Sequence, residues 1–542
     1  MNYAQHFNPT FTPQSEQADP KQAKNNAGGY SFTLDPWKRL DRWLILGAEG
    51  GTYYVGERKL TRDNAKTIAE CLDADGPRTV LRIAEISEAG RAPKNEPAIF
   101  ALALAAAHKD PATRAAACAA LPRVCRIGTH LFQFAAAVDQ FRGWGPGLRK
   151  AVERWYSGRH SLDREVTKYQ QRDGWSHRDM LRLSHAKPKS EHAAIFRWVA
   201  SGAGGMGERS VKGNEKAKRA DRGYLGYELP VYLAAFEELK AADEKRTIAL
   251  IQEHGFTHEM VATHHKNSAD VWAALLEKMP MTALVRNLAK MTAVGLLKPM
   301  GSAIPGVCAR LADVDQLKKA RIHPIAMLSA LMVYRQGHGE KGKLSWSPVP
   351  QIIDALDAGF YSSFGAIEPS GKRTMVALDV SGSMSAGTIA GVAGLTPKVA
   401  AAAMAMVTAR TEQQYHVIAF DHEPRFLPLT PRMRLDDVCR ETSAWGGGRT
   451  DCSIPMRGAL GMGLDVDTFL VFTDNETWHG PIHPHQAIEE YRSQRGIPAK
   501  LAVVGMASTE FTIANPDDAG MLDVVGFDTA TPNLLAAFSR GE

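Results

Sequence analysis

The chain has 542 residues but only six cysteines, at 71, 118, 125, 308, 439 and 452, and no two of them form a CxxC pair. Such spacing fits neither a disulfide framework nor a cysteine zinc site, and it predicts a reducing compartment, the cytoplasm. No run of about 18 apolar residues occurs, so no membrane-spanning helix is expected. The opening stretch MNYAQHFNPTFTPQSEQADP lacks the apolar core of a secretory signal, so none is expected there. Large aliphatic residues are also scarce over residues 1–35. That region is rich in Gln, Asn, Pro and Gly and is predicted to be a disordered tail. What remains is ordinary for a soluble globular protein: 44% hydrophobic and 23% charged residues. At roughly 100–200 residues per domain, the length calls for two or more domains.

Charge is distributed unevenly. From residue 367 onward there are 14 Lys+Arg against 21 Asp+Glu, a net −7, which leaves +13 on residues 1–366 out of a total of +6. A basic first two-thirds joined to an acidic last third points to a polyanion partner for the first part. Ordinary solvated surface would also account for part of the excess.

From 36 to 366 the pattern is helical, with short periodic segments broken by glycine and proline. Asp110-Pro111 reads as an N-cap followed by proline at the first helical position. Leu148, Val152, Trp155 and Tyr156 fall on one helical face, and Leu284 and Leu288 repeat the four-residue spacing after Pro280. No convincing alternating strand appears. Many short helices over this length predict stacked helix pairs, a solenoid or ring, although no repeat period can be assigned. One interruption, residues 201–223, is glycine-rich and carries Arg209, Lys212, Lys216, Lys218, Arg219 and Arg222. It reads as a flexible basic loop, either a solvated insertion or an aid in holding a phosphate backbone.

After Lys372 the texture changes. TMVALDV (374–380), YHVIAF (415–420), DTFLVF (467–472), AKLAVVG (499–505) and LDVVGF (522–527) are short, branched apolar runs. Helical stretches fall between several of them, from about Pro397 to Thr411 and from Gln486 to Arg495. Buried strands alternating with helices predict a doubly wound α/β domain over 367–542 with a mainly parallel sheet.

The first of these strands ends in Asp379-Val380-Ser381-Gly382-Ser383, the pattern DxSxS. Ligands of such sheets bind at the carboxyl ends of the strands. A carboxylate and two hydroxyls on one tight loop are hard oxygen donors, suited to Mg²⁺ or another divalent cation. Thr450, after the glycine turn at 446–449, and Asp474, after the strand DTFLVF, can return to the same rim. These donors do not fill an octahedron, so water or a partner's carboxylate would complete it. Taken together, the pattern resembles the metal-ion-dependent adhesion site of von Willebrand factor A domains. Two enzymatic alternatives fit less well. An aspartyl-phosphate enzyme typically carries a second Asp two residues after the first, where this chain has Ser381. A serine nucleophile needs a histidine base that the sequence does not assign. His479, His483 and His485 cluster after Asp474 and read as surface polar residues rather than as a second metal set.

The basic part carries KYQQRDGWSHRDMLRLSHAKP (168–188), which resembles the signature of the TROVE domain of Ro ribonucleoproteins. EPAIFALA (96–103), MPMTALVRNLAKMT (279–292), RIHPIAML (321–328), EPSGKRTMVALDVSGSM (368–384), FTDNETW (472–478) and FTIANPDDAGMLDVVGFDT (511–529) agree with that family in the same order. The resemblance runs from about residue 36 to the C-terminus, and such proteins also occur in bacteria. It implies a HEAT-like helical ring closed by an A-type domain, acting in RNA quality control and the stress response without catalytic turnover. Y-like small non-coding RNA would bind a basic outer surface, and the single-stranded 3′ ends of misfolded RNAs would enter the ring. A 3′→5′ exoribonuclease such as polynucleotide phosphorylase is the implied protein partner. Carried over by motif position, the RNA contacts would be Lys168, Arg172, His185 and Lys187. Lys168 and Arg172 would share one face if their stretch is helical. Trp175 reads as core rather than a stacking platform, and His185 could equally cap a helix. The 201–223 loop looks like an insertion relative to the family. A different function class, a metal-dependent protein-adhesion scaffold working through the A domain, remains the alternative.

Overall fold

Asp110 accepts hydrogen bonds from the Ala112 and Thr113 amides and starts the helix Pro111–Val124, as its sequence predicts. The computed structural model describes residues 11–47, 65–201, 229–339, 343–389, 395–444 and 447–542, and shows how such short helices stack. Apart from Ser201, the basic loop at 201–223 lies outside the described residues. Leu148, Val152, Trp155 and Tyr156 are buried along the helix Pro146–Ser157, and Leu284 and Leu288 along Met281–Ala293. Burying each such side chain contributes about 1.5–3 kcal/mol.

The helical domain's first and last parts meet. The His323 ring donates from Nε2 to the Arg91 carbonyl at 2.9 Å, while its Nδ1 accepts from the Ile325 amide at 3.1 Å. Burial pushes this imidazole down to about 4, so it is neutral, as that pairing requires. Between the two parts lies a cavity of about 760 Å³, walled by residues of the helices Lys66–Ala89, Glu96–Ala106, Met281–Ala293 and Pro324–Gln336.

Two small strand pairs interrupt the helices, where the sequence shows none. β1 (Gln22–Lys24) and β2 (Tyr30–Thr33) form an antiparallel hairpin. β3 (Gln171–Arg172) and β4 (Trp175–Ser176) form another, closed by Asp173 and Gly174 with φ of 51° and 81°. Two successive left-handed residues are what a tight two-residue turn demands.

The C-terminal sheet holds β5 (Thr374–Asp379), β6 (Tyr415–Phe420), β7 (Pro424–Phe426), β8 (Thr468–Thr473), β9 (Lys500–Gly505) and β11 (Met521–Val525), in the order β11-β9-β8-β5-β6-β7. All pairings are parallel except that of β7, an edge strand with β6. Every residue of β5 is buried. Val376 and Leu378 join the core shared with the helical domain, whereas Met375 and Ala377 face the helices Ile454–Gly461 and Pro484–Arg495. Burial on both faces explains why these strands read as unbroken apolar runs.

The expected disorder of residues 1–35 is corrected for 11–35. β2 pairs with β10 (Phe511–Thr512), Phe32 and Gln14 are buried, and the segment lies against the α/β domain. Gln14, Gln22, Asn25 and Asn26 hydrogen-bond to that domain, so polar composition here marks a polar interface. The helix that follows, Pro36–Leu46, sends Arg42 into the α/β domain. Its guanidinium meets Asp523 at 2.6 Å, both side chains buried, and donates to the Thr509 and Phe511 carbonyls.

Candidate metal centre and nucleic-acid interface

β5 and β8 are neighbours in the sheet, and the chain leaves them in different directions, so a crevice opens at their carboxyl ends. Asp379 ends β5, and Asp474 follows β8. Thr473 Oγ1 donates to Asp379 Oδ2 at 2.7 Å, and the Ser381 amide donates to Asp379 Oδ1 at 2.9 Å. The Ser381 and Ser383 hydroxyls are 3.1 Å apart. Asp474 Oδ1 accepts from the Glu476 amide at 3.1 Å, while the buried Oδ2 has no hydrogen-bond partner. Thr450 belongs to the same rim. Its carbonyl accepts from the Trp478 and His479 amides at 3.2 and 3.0 Å, which ties it to the loop after Asp474. A Cβ built on Gly382 would lie 3.7 Å from Gly447, so the DxSxS turn adjoins the loop that carries Thr450. All five predicted donors, Asp379, Ser381, Ser383, Thr450 and Asp474, are buried.

Electrostatics leaves this rim short of positive charge. Burial raises the Asp379 carboxyl above its ordinary range, and the neighbouring Asp474 charge adds to the rise. Burial raises Asp474 as well, and the nearby Ser383 hydroxyl works against that rise. Lys398, at the start of the helix Pro397–Thr411, is within electrostatic reach of Asp379 and Asp421. An unpartnered carboxylate oxygen among hydroxyls, with two buried acids opposing each other, suits a hard divalent cation. The histidines behave differently. His483 and His485 are buried, against the surface position expected, because His483 donates from Nε2 to the Glu16 carbonyl at 2.8 Å and lies under the N-terminal segment. Among the described residues no group of three or more His, Cys, Asp or Glu side chains is placed to hold a metal.

The 168–188 segment is the second candidate site. The helix Leu162–Lys168 stops at Lys168, so the stretch is not helical to Arg172 and the two cations do not share a helical face. Lys168 is half-buried, 3.9 Å from Glu259 and over the Tyr169 ring. Arg172 sits on β3, exposed, with its nearest carboxylate Asp173 at 3.4 Å. Next comes the helix His177–Ser184, started by a reciprocal cap between Ser176 and Asp179. It ends at His185 in the left-handed conformation, φ 52°. Its inward face holds Met180 and His177; the His177 Nδ1 lies 2.7 Å from the Tyr156 hydroxyl. Its outward face shows Arg178 and Arg182, one turn apart, followed by exposed His185, Lys187 and Lys189. Among the described residues no carboxylate pairs with the side chains of Arg178, Arg182, His185 or Lys187, although the Lys187 amide donates to Glu153 at 3.2 Å. Trp175 is half-buried beside Trp144, ring centroids 6.2 Å apart, and packs on the core as expected.

The TROVE-domain family model matches residues 23–332, and the Ro60 vWA-domain model matches residues 373–539. The chain belongs to the Ro family. RNA-binding protein RO60 of Deinococcus radiodurans is 40% identical over 548 residues, which cover 100% of this chain and 99% of that protein. RNA-binding protein RO60 of Caenorhabditis elegans is 36% identical, across 98% of this chain and 92% of its own. The crystal structure of the Deinococcus radiodurans Ro protein superposes with a TM-score of 0.67 at 39% identity, covering 94% of this chain and 100% of the other. The Ro architecture of a helical TROVE domain followed by a vWA domain is thus the architecture of this chain.

Several residues of this Ro protein's two candidate sites are not evident from the sequence. Arg178 and Arg182 carry a usable signal, cations four apart on a helix whose other face is apolar. Thr473, which fixes Asp379, carries a weaker one as the residue before Asp474. Gln14 carries none because it reaches the rim loops from more than 400 residues away, and Lys398 none because it is one ordinary lysine in a helix's first turn. Facing the cavity in the TROVE domain are Lys94, Arg126, Arg286 and Arg321, with Glu96 the only acid among the described residues that line it. Arg126 donates to Ser87 Oγ and the Arg123 carbonyl, both at 2.9 Å, and to no carboxylate among the described residues. No helix among the described residues is long and apolar enough to cross a membrane.

Proposed function

We propose that this Ro-family chain is an RNA-binding scaffold without catalytic turnover, working in the cytoplasm. The observation that carries the reading is the exposed series Arg172, Arg178, Arg182, His185 and Lys187, presented on a rigidly capped turn with little acidic partnering. Cations left unpaired in solvent suit phosphates, which arginine can grip with two hydrogen bonds. The two relatives named as RNA-binding proteins support the same assignment. A Y-like small RNA rests on this outer face. Single-stranded 3′ ends of misfolded RNAs enter the basic cavity, which is of ligand-pocket size and far too small for an A-form duplex. The protein then serves RNA quality control by presenting those ends to a 3′→5′ exoribonuclease of the polynucleotide phosphorylase type. Asp379, Ser381, Ser383, Thr450 and Asp474 hold Mg²⁺ or another divalent cation, directly or through water. When bound, that cation offers an oxygen-accepting position to a protein partner.

The test compares one hairpin RNA with a blunt end, a 5′ overhang and a 3′ overhang at fixed salt. The 3′-overhang form is expected to bind most tightly, with little dependence on base identity. A blunt hairpin that binds equally well removes end capture and leaves only a duplex-binding surface. A second reading, a metal-dependent adhesion scaffold working through the vWA domain, draws on the unpartnered Asp474 Oδ2. It requires that partner capture be lost in EDTA and be indifferent to nuclease.

A further inference from the structure

Residues 11–35 lie against two of the loops that build the metal-type rim, and one buried amide touches both. Gln14 is fully buried. Its Nε2 donates to Asp451 Oδ1 at 2.7 Å and to the Ile482 carbonyl at 2.8 Å, and its Oε1 accepts from the Thr477 hydroxyl. Asp451 directly follows Thr450, and Thr477 lies three residues after Asp474. A second grip is on Glu476, which is fully buried. Asn26 Nδ2 donates to Glu476 Oε1 at 2.6 Å, and the Ala27 amide donates to Oε2 at 3.2 Å. The Glu476 amide in turn orients Asp474 through its Oδ1, leaving Oδ2 unpartnered. Gly29 completes the seat, since a Cβ there would come within 2.2 Å of the Thr477 carbonyl oxygen.

We infer that the N-terminal segment is a working part of the cation site: Gln14 and Asn26 are positioning residues that set the Thr450 and Asp474 arms, so that cation binding and docking of the segment strengthen each other. This rests on the reading that the rim takes a divalent cation. The physical reason is that a cation pulls oxygen donors from three loops to fixed distances, and loops already held by buried hydrogen bonds lose less freedom on binding. Linkage makes the effect reciprocal, so the factor by which the segment tightens the cation equals the factor by which the cation tightens the segment. The segment continues directly into the helix that anchors Arg42 on Asp523. Cation occupancy is thereby felt at the junction of the two domains.

The experiment titrates the full-length protein with Mn²⁺, followed by electron paramagnetic resonance, in wild type, Gln14→Ala and Asn26→Ala. Each variant is expected to bind Mn²⁺ about 5–150-fold more weakly, the usual span of such couplings, with unchanged far-ultraviolet circular dichroism. Hydrogen exchange on the wild type alone gives the second arm, which needs no variant to fold. Saturating Mn²⁺ is expected to slow the amides of Gln14 and Tyr30, which donate to the Gly480 and Gln14 carbonyls. If wild type shows no saturable Mn²⁺ site, the cation reading itself fails, and the inference with it. If wild type binds Mn²⁺ but folded variants bind it equally well and exchange over residues 11–35 is unmoved by Mn²⁺, the cation reading stands and the linkage is wrong.

Discussion

The two candidate sites handle charge in opposite ways. On the TROVE domain, the basic groups of 172–187 stand in water on a capped helix and hairpin, largely unpaired. On the vWA domain, Asp379 and Asp474 are buried at strand ends, Asp379 hydrogen-bonded at both oxygens and Asp474 at one, with their charges opposing each other. Solvated cations cost little to maintain and contribute separately, so a surface built from them tolerates the loss of one member. Buried carboxylates are expensive to hold without a counterion, so that site is all-or-none. A ligand with many similar charges fits the first design and a single small ion fits the second.

The largest expected effect comes from Asp379→Asn. Removing one of two opposed buried charges is expected to abolish Mn²⁺ or Mg²⁺ binding and also to raise the melting temperature measured in EDTA. A variant that loses the ion and is destabilised in EDTA would show that Asp379 serves the fold rather than the ion.

Next in size is an acid effect centred on the helical domain. Burial pushes His323 and His130 down to about 4 and His177 to about 3. Because these folded-state values are depressed, the unfolded chain takes up protons first. The stability these groups contribute is intact above about pH 6.5 and is lost as pH falls toward 4, by up to about 1.4 kcal/mol per pH unit for each. Urea unfolding of full-length protein at pH 7, 6 and 5 measures it. A midpoint that does not fall over this range would mean that the three rings are protonated or solvated in the fold.

Arg178→Ala with Arg182→Ala is expected to weaken hairpin RNA binding at moderate salt. The slope of log affinity against log salt should fall by about 1 for each arginine–phosphate pairing removed. Melting temperature should not change, because both side chains are exposed. The smallest effect is expected from Lys168→Ala, whose ammonium is half-buried beside Glu259. A larger loss from Lys168→Ala than from the arginine pair, by fluorescence anisotropy, would move the RNA face toward Glu259 and away from the capped helix.

How far the sequence spoke depended on whether the information was local. The five principal strands of the sheet were legible because burial on both faces leaves unbroken apolar runs. The rim was legible because Asp379, Ser381 and Ser383 share one turn. The β3–β4 hairpin was not, since two-residue strands leave no alternation to read and Lys168-Tyr-Gln-Gln-Arg172 has an acceptable helical spacing. Residues 11–35 are illegible locally for a deeper reason. Gln14, Asn25 and Asn26 look like disorder when only neighbours are considered, yet their partners Asp451, Thr477 and Glu476 lie more than 400 residues away. His483 and His485 were misplaced by the same omission, because the cover that buries them is that segment.

The separation between Gln14 and Asp451, 437 residues, also bears on the chain's birth. At about 5–20 residues per second, roughly 20–90 s pass on the ribosome between the synthesis of the strap and that of the surface it joins. An apolar strap would spend that interval as an aggregation hazard, open to neighbouring nascent chains. This strap, rich in glutamine and asparagine with few apolar residues such as Phe32 and Leu34, is less of a hazard while it waits in water. Its complementary array of carboxylates and carbonyls does not exist until the vWA domain has been made, so its seating follows the synthesis of that domain.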